Sequence, residues 1–241
     1  MVEQERIRQA VRQRYARAAR EGCCGCGLPV AAETGCGPSL GCGNPVAHAH
    51  LRPGEVVVDV GSGPGLEVIE AATLVGPRGR AVGIDITPEM VAAARGNAAA
   101  RGVPNASFLL GDAESLPLPD DVADVVLSNC AINLVPDKLR AFCEAFRVLR
   151  PGGRLVLSDV VAQQPVPPEL RQDLEAWSAC VSGAVDLEDV LRMLRAAGFD
   201  ATEVLEESPV RWGSAWGVQL RSVTVRARKP RREPRSRGSG C

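Results

Sequence analysis

The chain has 241 residues, of which 45% are hydrophobic and 24% are charged, and its formal net charge is −1. This length and composition favour one folded core with appendages, and the near-neutral charge gives no reason to expect a nucleic-acid partner. No apolar run approaches the ~20 residues that a membrane-spanning helix needs. Residues 1–6 are charged and lack the apolar stretch of a secretory signal. We therefore expect a cytoplasmic protein that binds neither nucleic acid nor membranes.

Residues 1–50 form the first part of the chain, a predicted helix followed by a cysteine-rich loop. Residues 3–20 contain no glycine or proline and place apolar side chains at helical spacing. Tyr15, the only tyrosine, either packs on the core or belongs to a lid helix whose ring touches a ligand pocket. Residues 22–45 are rich in glycine, proline and cysteine, which favours a loop.

Cysteine is unusually frequent for a cytosolic chain, which has little use for structural disulfides, so the thiols suggest metal or redox chemistry. Five of the nine cysteines precede residue 50: Cys23, Cys24, Cys26, Cys36 and Cys42. The spacing of Cys23 and Cys26 suits a metal, but the later cysteines complete no regular zinc module. A structural zinc therefore stays open, with His48 and His50 as nearby nitrogen donors or as residues on the exposed face of a short helix.

From residue 51 onward the sequence alternates between strands and helices. The predicted strands cover residues 56–60, 80–85, 107–110, 123–128, 154–161, 201–206 and 219–228. The predicted helices cover residues 66–75, 88–101 and 137–149, with further helices in 169–197 that break near residues 182–183. Alternation of this kind gives a doubly wound, mostly parallel α/β sheet with helices on both faces, ended here by antiparallel strands. A turn at residues 150–153 should lead into the fifth strand.

We divide this region into a ligand-binding core at residues 51–165, a C-terminal part of the same domain at residues 166–228, and a tail at residues 229–241. The tail is basic and rich in glycine, serine and proline. Such a composition has too little apolar surface to fold, so we expect disorder from residue 229.

The first strand leads into a glycine loop. Residues 56–60 are a valine-rich run typical of a buried parallel strand. Gly61, Gly63 and Gly65 follow at alternate positions, which allows a sharp turn and close approach to a ligand. Leu66 occupies the last position of the dinucleotide fingerprint, so that pattern fails. The loop predicts a nucleotide-like ligand at the carboxyl end of the first strand.

Three carboxylates accompany three consecutive strands. Asp59 lies just before the loop, Asp85 ends the second strand and Asp112 follows the third. Acidic residues suit a cationic, hydroxyl-rich ligand better than a pyrophosphate. The alternative is an ordinary strand-turn-helix unit with surface carboxylates.

This arrangement resembles the class I S-adenosylmethionine (SAM) methyltransferases. The resemblance implies a seven-stranded Rossmann-like sheet and SAM as cofactor. It places Asp59 near the amino group of SAM, Asp85 on the ribose hydroxyls and Asp112 near the adenine amine. The other cofactor-binding residues that it implies are Gly61, Ser62, Gly63, Gly65, Ile86, Met90, Gly111, Ala113 and Asn129.

Three short motifs that contain cysteine make the resemblance more specific. They are LGCGNP at residues 40–45, SNCAINL at 128–134 and WSACVSGA at 177–184. With residues 11–15 and 23–25, they resemble the arsenite SAM methyltransferases over residues 8–200. The implied reaction moves the methyl group of SAM to thiol-bound trivalent arsenic in arsenite or methylarsenite. Soft ions select cysteine, and a lone pair on arsenic can attack the methyl carbon, so catalysis needs orientation more than acid–base help.

Carried over residue by residue, Cys42 and Cys180 match the arsenic-binding positions of that family, and Cys23 and Cys24 match its N-terminal redox thiols. The resemblance implies a disulfide that thioredoxin or glutathione then reduces. Longer relatives place another arsenic-binding cysteine after the stretch that corresponds to residues 198–199, and residues 199–240 contain none. The third sulfur must then come from the N-terminal loop, from a small thiol, or not at all.

Two other cysteines have structural explanations, since free cysteine is among the most buried residue types. We expect Cys143 to pack in the core, and Cys130 to line the SAM pocket without binding arsenic. Two other functions also stay open: a SAM enzyme that methylates a small organic molecule, and a thiol-rich protein that binds arsenic or zinc without turnover. The first predicts that Cys180 is dispensable, and the second that Asp85 is.

Overall fold

The computed structural model describes residues 2–21, 42–210 and 216–231. The predictions for Cys23 and Cys24, the possible zinc pair of Cys23 and Cys26, and residues 232–241 of the tail lie outside the described residues. Within them, no helix is both long and apolar enough to cross a membrane.

Seven strands form one sheet, in the order β3-β2-β1-β4-β5-β7-β6. They are β1 (Val56–Val60), β2 (Arg80–Asp85), β3 (Ala106–Leu110), β4 (Ala123–Asn129), β5 (Leu149–Ala162), β6 (Asp200–Val210) and β7 (Leu220–Arg228). The first five strands are parallel, and β7 is antiparallel to both β5 and β6. The predicted α/β fold is therefore confirmed. The strand order reverses between β1 and β4, which is where doubly wound sheets bind ligands.

Helices cover both faces of the sheet. They are α1 (Val2–Glu21), α2 (Pro45–Ala49), α3 (Leu66–Val75), α4 (Pro88–Ala100), α5 (Lys138–Val148), α6 (Leu174–Ser178) and α7 (Leu187–Ala196), with 3₁₀ turns at Ile132–Leu134 and Leu170–Gln172. Successive residues of β1 enter different cores: Val57 packs with Val68 of α3, whereas Val58 packs with Phe142 of α5. Burial on both sides explains why the strand reads as a continuous valine run.

The fifth strand begins earlier than the sequence predicts. The predicted turn at residues 150–153 lies inside β5 as an irregularity, because Leu149 pairs with Ala123 and the regular ladder resumes only at Arg154. Backbone hydrogen bonds explain the difference: Gly152 donates to the carbonyl of Lys229 at 3.0 Å, and Lys229 donates to Gly153 at 2.9 Å. The end of β7 thus holds this segment in the sheet.

The prediction that disorder begins at Lys229 is wrong. The Lys229 Nζ atom donates to the Asp121 carboxylate at 2.8 Å and to the carbonyls of Phe146 and Leu149 at 2.8 and 2.6 Å. It also lies 4.6 Å from the centroid of the Phe146 ring. Lys229 is therefore part of the folded body, which the basic composition of the tail concealed.

Candidate active site

The carboxyl ends of β1, β2 and β4 open into a pocket on the ligand-binding edge of the sheet. Eight of the residues predicted to bind cofactor line it: Gly61, Gly63, Asp85, Ile86, Gly111, Asp112, Ala113 and Asn129. The remaining four, Asp59, Ser62, Gly65 and Met90, are buried or belong to the loop backbone without lining its wall. The sheet edge therefore brings most of the predicted set together.

The glycine loop adopts a backbone that other residues rarely use. Gly61, Gly63 and Gly65 have φ values of 79°, 50° and 81°. A Cβ atom at Gly61 would lie 2.2 Å from the Cβ of Ala131, so both conformation and space require glycine there. The amide of Gly61 donates to the carbonyl of Ile84 at 2.8 Å, which ties the loop to β2.

Asp59 is a buried carboxylate at the end of β1. Among the described residues, neither of its oxygens has a hydrogen-bond partner. Burial raises the pKa of Asp59 well above its usual value, and the nearby carboxylates of Glu67 and Asp85 raise it further. An unpaired buried carboxylate calls for an explanation, and a cationic ammonium group of a ligand would satisfy it.

Asp85 joins the glycine loop to the start of α4. Its Oδ2 accepts from the amide of Gly63 at 2.9 Å, and its Oδ1 accepts from the amide of Thr87 at 2.8 Å. Burial raises the pKa of Asp85, and these amides partly offset that shift. Each oxygen keeps lone pairs for further donors, so the carboxylate can accept hydrogen bonds from ligand hydroxyls in the pocket.

Helix α1 lies over the pocket, which it lines with Arg8, Val11 and Tyr15. Arg8 forms ion pairs with Asp112, at 3.0 Å, and with Glu114. Tyr15 therefore matches the second of its two alternatives, a ring on a covering helix that touches the pocket. Burial raises its pKa well above the usual value, with smaller contributions from the thiols of Cys180 and Cys130. The ring thus lies close to both the pocket and the cysteines.

Three cysteines from distant parts of the chain converge beside the pocket. The sulfurs of Cys42 and Cys130 and a carboxylate oxygen of Asp159 all lie within 4.8 Å of one another. The Cys180 thiol donates to the carbonyl of Cys130 at 3.5 Å. All three cysteines are free thiols. The structure thus brings Cys42 and Cys180 to the same neighbour, Cys130.

The side chain of Asn129 fixes the position of Cys42. Its Oδ1 accepts from the amides of Cys42 and Gly43 at 2.9 and 3.3 Å, and its Nδ2 donates to the carbonyl of Gly43 and to Glu67. On the other side, Ser222 of β7 donates to the carbonyl of Cys42 at 2.8 Å. Asn129 therefore touches the pocket and also anchors the segment that carries a thiol, a role that its sequence context did not reveal.

Cys130 and Cys180 both have left-handed backbones, with φ values of 54° and 62°. This conformation is uncommon for residues other than glycine, and such strain concentrates at functional sites. Cys130 directly follows β4, and its amide donates to the carbonyl of Ser158 at 2.8 Å. The two thiols are thus held in place by backbone that the surrounding sheet and turns enforce.

Burial controls the charges around the thiols. It raises the pKa of Cys130 well above its usual value, so without a ligand this residue is a neutral thiol at pH 7. It raises the pKa of Asp159 to about 6, partly offset by the amides of Val160 and Asn133. It also lowers the pKa of Lys138 to about 8. The cluster is a desolvated one, in which a bound soft ion would be shielded from water.

Two other predictions have clear outcomes. The expectation that Cys143 packs in the core is wrong, because its side chain on α5 is exposed. His48 lies on α2, as expected of a short helix, and its ring lies 2.8 Å from Glu206 of β6.

Replacing Gly43 by alanine is expected to displace Cys42. A Cβ atom there would lie 2.7 Å from the Cβ of Ser158 and 3.3 Å from the Oγ1 of Thr224, so the loop must move off β5. Overpacking of this kind costs about 1–3 kcal/mol. We expect a lower melting temperature, measured by calorimetry. Gly96→Ala, which adds a methyl group with nothing within 4 Å, is the matched control, and an unchanged melting temperature in Gly43→Ala would contradict the expectation.

Comparisons with known proteins agree with this geometry. Residues 51–198 match the model of the methyltransferase domain family. An arsenite methyltransferase of Halobacterium salinarum is 40% identical over an alignment of 266 positions, which covers 95% of this chain and 68% of that protein. One from Aquipseudomonas alcaligenes is 41% identical over 177 residues, which cover 70% of this chain and 51% of that protein. The chain thus spans about two thirds of the first relative and about half of the second.

Solved structures lead to the same family. The crystal structure of an arsenic(III) S-adenosylmethionine methyltransferase from Chlamydomonas reinhardtii superposes with a TM-score of 0.72 at 33% identity, covering 90% of this chain and 74% of that one. Together with the methyltransferase domain match, this makes the protein a SAM-dependent methyltransferase with a Rossmann-like fold. Because the likeness extends over nearly the whole chain, the protein belongs to the arsenite methyltransferase family.

Proposed function

We propose that this protein uses SAM to methylate trivalent arsenic held on protein thiolates, with arsenite or methylarsenite as substrate. One observation carries the proposal: Cys42 and Cys180 both reach Cys130, which lines the pocket at the carboxyl ends of the strands. A soft acceptor bound by these thiolates would lie next to the cofactor pocket. A generic methyltransferase of organic molecules has no need for such a cluster.

The pocket fits the cofactor. Unpaired Asp59 suits the ammonium group, Asp85 suits the ribose hydroxyls, and the open space beside Gly63 leaves room for close approach. When bound, SAM supplies an electrophilic methyl group on a sulfonium centre. We assign the eight predicted cofactor residues that line this pocket to SAM binding and the other four to its support, all within residues 51–165. We assign the arsenic-binding part to residues 166–228 together with Cys42.

The chain contributes orientation and exclusion of water. Thiolates hold arsenic through sulfur and leave its lone pair free, and their fixed backbone directs that lone pair toward the pocket. Burial of Cys130 and Cys180 keeps bulk water from the substrate. No general base is needed, because arsenic carries no proton that must be removed before methyl transfer.

Methyl transfer oxidises arsenic formally from the trivalent to the pentavalent state, so a second round requires two electrons. We propose that Cys23 and Cys24 help to supply them by forming a disulfide, which thioredoxin or glutathione then reduces. We also propose a cytoplasmic location, because the ligand thiols must stay reduced and the cytosol maintains that state.

The direct test is to incubate purified protein with SAM, arsenite and a small thiol, and to separate the arsenic species by chromatography with element-specific detection. We expect methylated arsenicals and S-adenosylhomocysteine to form together, and neither to form without protein. Binding of arsenite with no S-adenosylhomocysteine would indicate a sequestering protein. Cofactor turnover only with an organic acceptor would indicate a different methyltransferase.

A further inference from the structure

We infer that Cys130 supplies the third sulfur ligand of the arsenic substrate, alongside Cys42 and Cys180. The inference rests on the proposed function and names the ligand set of that site. It departs from the sequence-based expectation, which gave Cys130 a lining role only and left the third sulfur to the N-terminal loop, a small thiol or nothing.

Distance is the first argument. Bonds from soft metal ions to thiolate sulfur are about 2.3 Å long, so two thiolates on one ion are at most about 4.6 Å apart. The sulfurs of Cys42 and Cys130 lie within 4.8 Å of each other, so a small side-chain rotation brings both onto one atom. The Cys180 sulfur already contacts the Cys130 carbonyl at 3.5 Å.

Position relative to the pocket is the second argument. Of these three cysteines, Cys130 is the one that lines the pocket wall. A site built from Cys42 and Cys180 alone would hold arsenic behind that wall, with the Cys130 thiol beside it and unused. Ligation by Cys130 places the arsenic atom at the boundary with the pocket, where its lone pair must point.

The choice of sulfur over oxygen is the third argument. Asp159 also lies within 4.8 Å of the Cys42 and Cys130 sulfurs. Its oxygens accept from the amides of Asn133 and Val160 at 3.0 and 2.8 Å, and they are hard donors. A soft ion prefers thiolate to carboxylate. Cys130 is therefore the better third donor of the two.

The binding step balances without a redox partner. For each thiol that binds arsenite, one As–S bond forms and one As–O bond breaks, and the thiol proton leaves with the hydroxide as water. Three protein thiols thus release three waters, and arsenic stays trivalent. Because all three donors belong to the chain, no external thiol is needed to complete the site.

The test counts the sulfur neighbours of arsenic by X-ray absorption, with the full chain and arsenite in a phosphine reductant that contributes no thiol. We expect three sulfurs in the wild type, and two sulfurs with one oxygen in Cys130→Ser. We also expect arsenite affinity to fall at least about tenfold, since even changes outside the ligand set of a metal cost that much. A melting temperature and circular dichroism spectrum like those of the wild type show that the variant folds, and Cys130→Ala serves if the serine variant does not.

Two controls separate the alternatives. Cys143→Ser, on an exposed part of α5, should keep all three sulfurs. The double variant Cys23→Ser, Cys24→Ser should also keep them. Three sulfurs in Cys130→Ser would overturn the inference, and two in the double variant would then indicate the N-terminal loop. Only two sulfurs in the wild type would also overturn it. Both results leave the proposed function standing, whereas a wild type that neither binds nor methylates arsenite would overturn that function itself.

Discussion

Cys180→Ser is expected to abolish arsenite methylation while leaving SAM affinity unchanged. Serine keeps the shape of the side chain, but its hydroxyl is a poor ligand for a soft ion. Cys180 belongs to a buried cluster with Cys130 and the residues around α6, and it does not line the cofactor pocket. Cys42→Ser should behave in the same way. Arsenic speciation measures the first effect, and calorimetric titration with SAM measures the second.

Cys143→Ser is the matched control, because it removes a thiol that is exposed on α5. It should methylate arsenite at the wild-type rate. Arsenite methylation by Cys180→Ser at the parental rate would mean that Cys180 is not needed to bind the substrate. A loss of SAM affinity in either serine variant would instead point to a disturbed fold.

The fold could be predicted because the sequence patterns that indicate its strands, helices and turns each involve residues close together in the chain. The valine run of β1, the glycines after it and the alternation of strands and helices all follow from neighbouring residues. The irregular start of β5 could not be predicted, because it depends on hydrogen bonds with Lys229, which comes from the far end of the chain. The same hydrogen bonds explain why the sequence-based prediction started the disordered tail at Lys229, a residue that is part of the fold.

For the candidate site, too, the residues at strand ends could be predicted and the long-range contacts could not. The sequence indicated Asp59, Asp85 and the glycine loop, since each is attached to a strand end. It gave no sign that Asn129 anchors Cys42 or that Cys130 lies beside both other thiols, because these contacts join strand ends to a segment outside the sheet. The one sequence feature that pointed to these contacts was the pair Asn129-Cys130, a polar residue directly before a cysteine at the end of β4.

Asp85→Ala is expected to weaken SAM binding strongly. On the proposed function its oxygens accept hydrogen bonds from the ribose hydroxyls, and they already accept from the amides of Gly63 and Thr87. A hydrogen bond to a charged group contributes about 1.5–3 kcal/mol, which corresponds to about a 10- to 100-fold loss of affinity. Removing the carboxylate also leaves the Gly63 amide without its acceptor, so the loop loses a support on the ligand side.

Calorimetric titration of SAM into the variant measures this loss. Asp189→Ala, which removes an exposed carboxylate on α7 that pairs with Arg192, should leave the affinity unchanged. The melting temperature of each variant without ligand separates an effect on the fold from one on binding. Arsenite affinity should survive in Asp85→Ala, because the thiols are held by Asn129, Ser222 and the β4 end, which do not depend on Asp85. Unchanged SAM affinity in Asp85→Ala would show that Asp85 does not bind the cofactor. The proposed placement of SAM in the pocket would then be wrong as well.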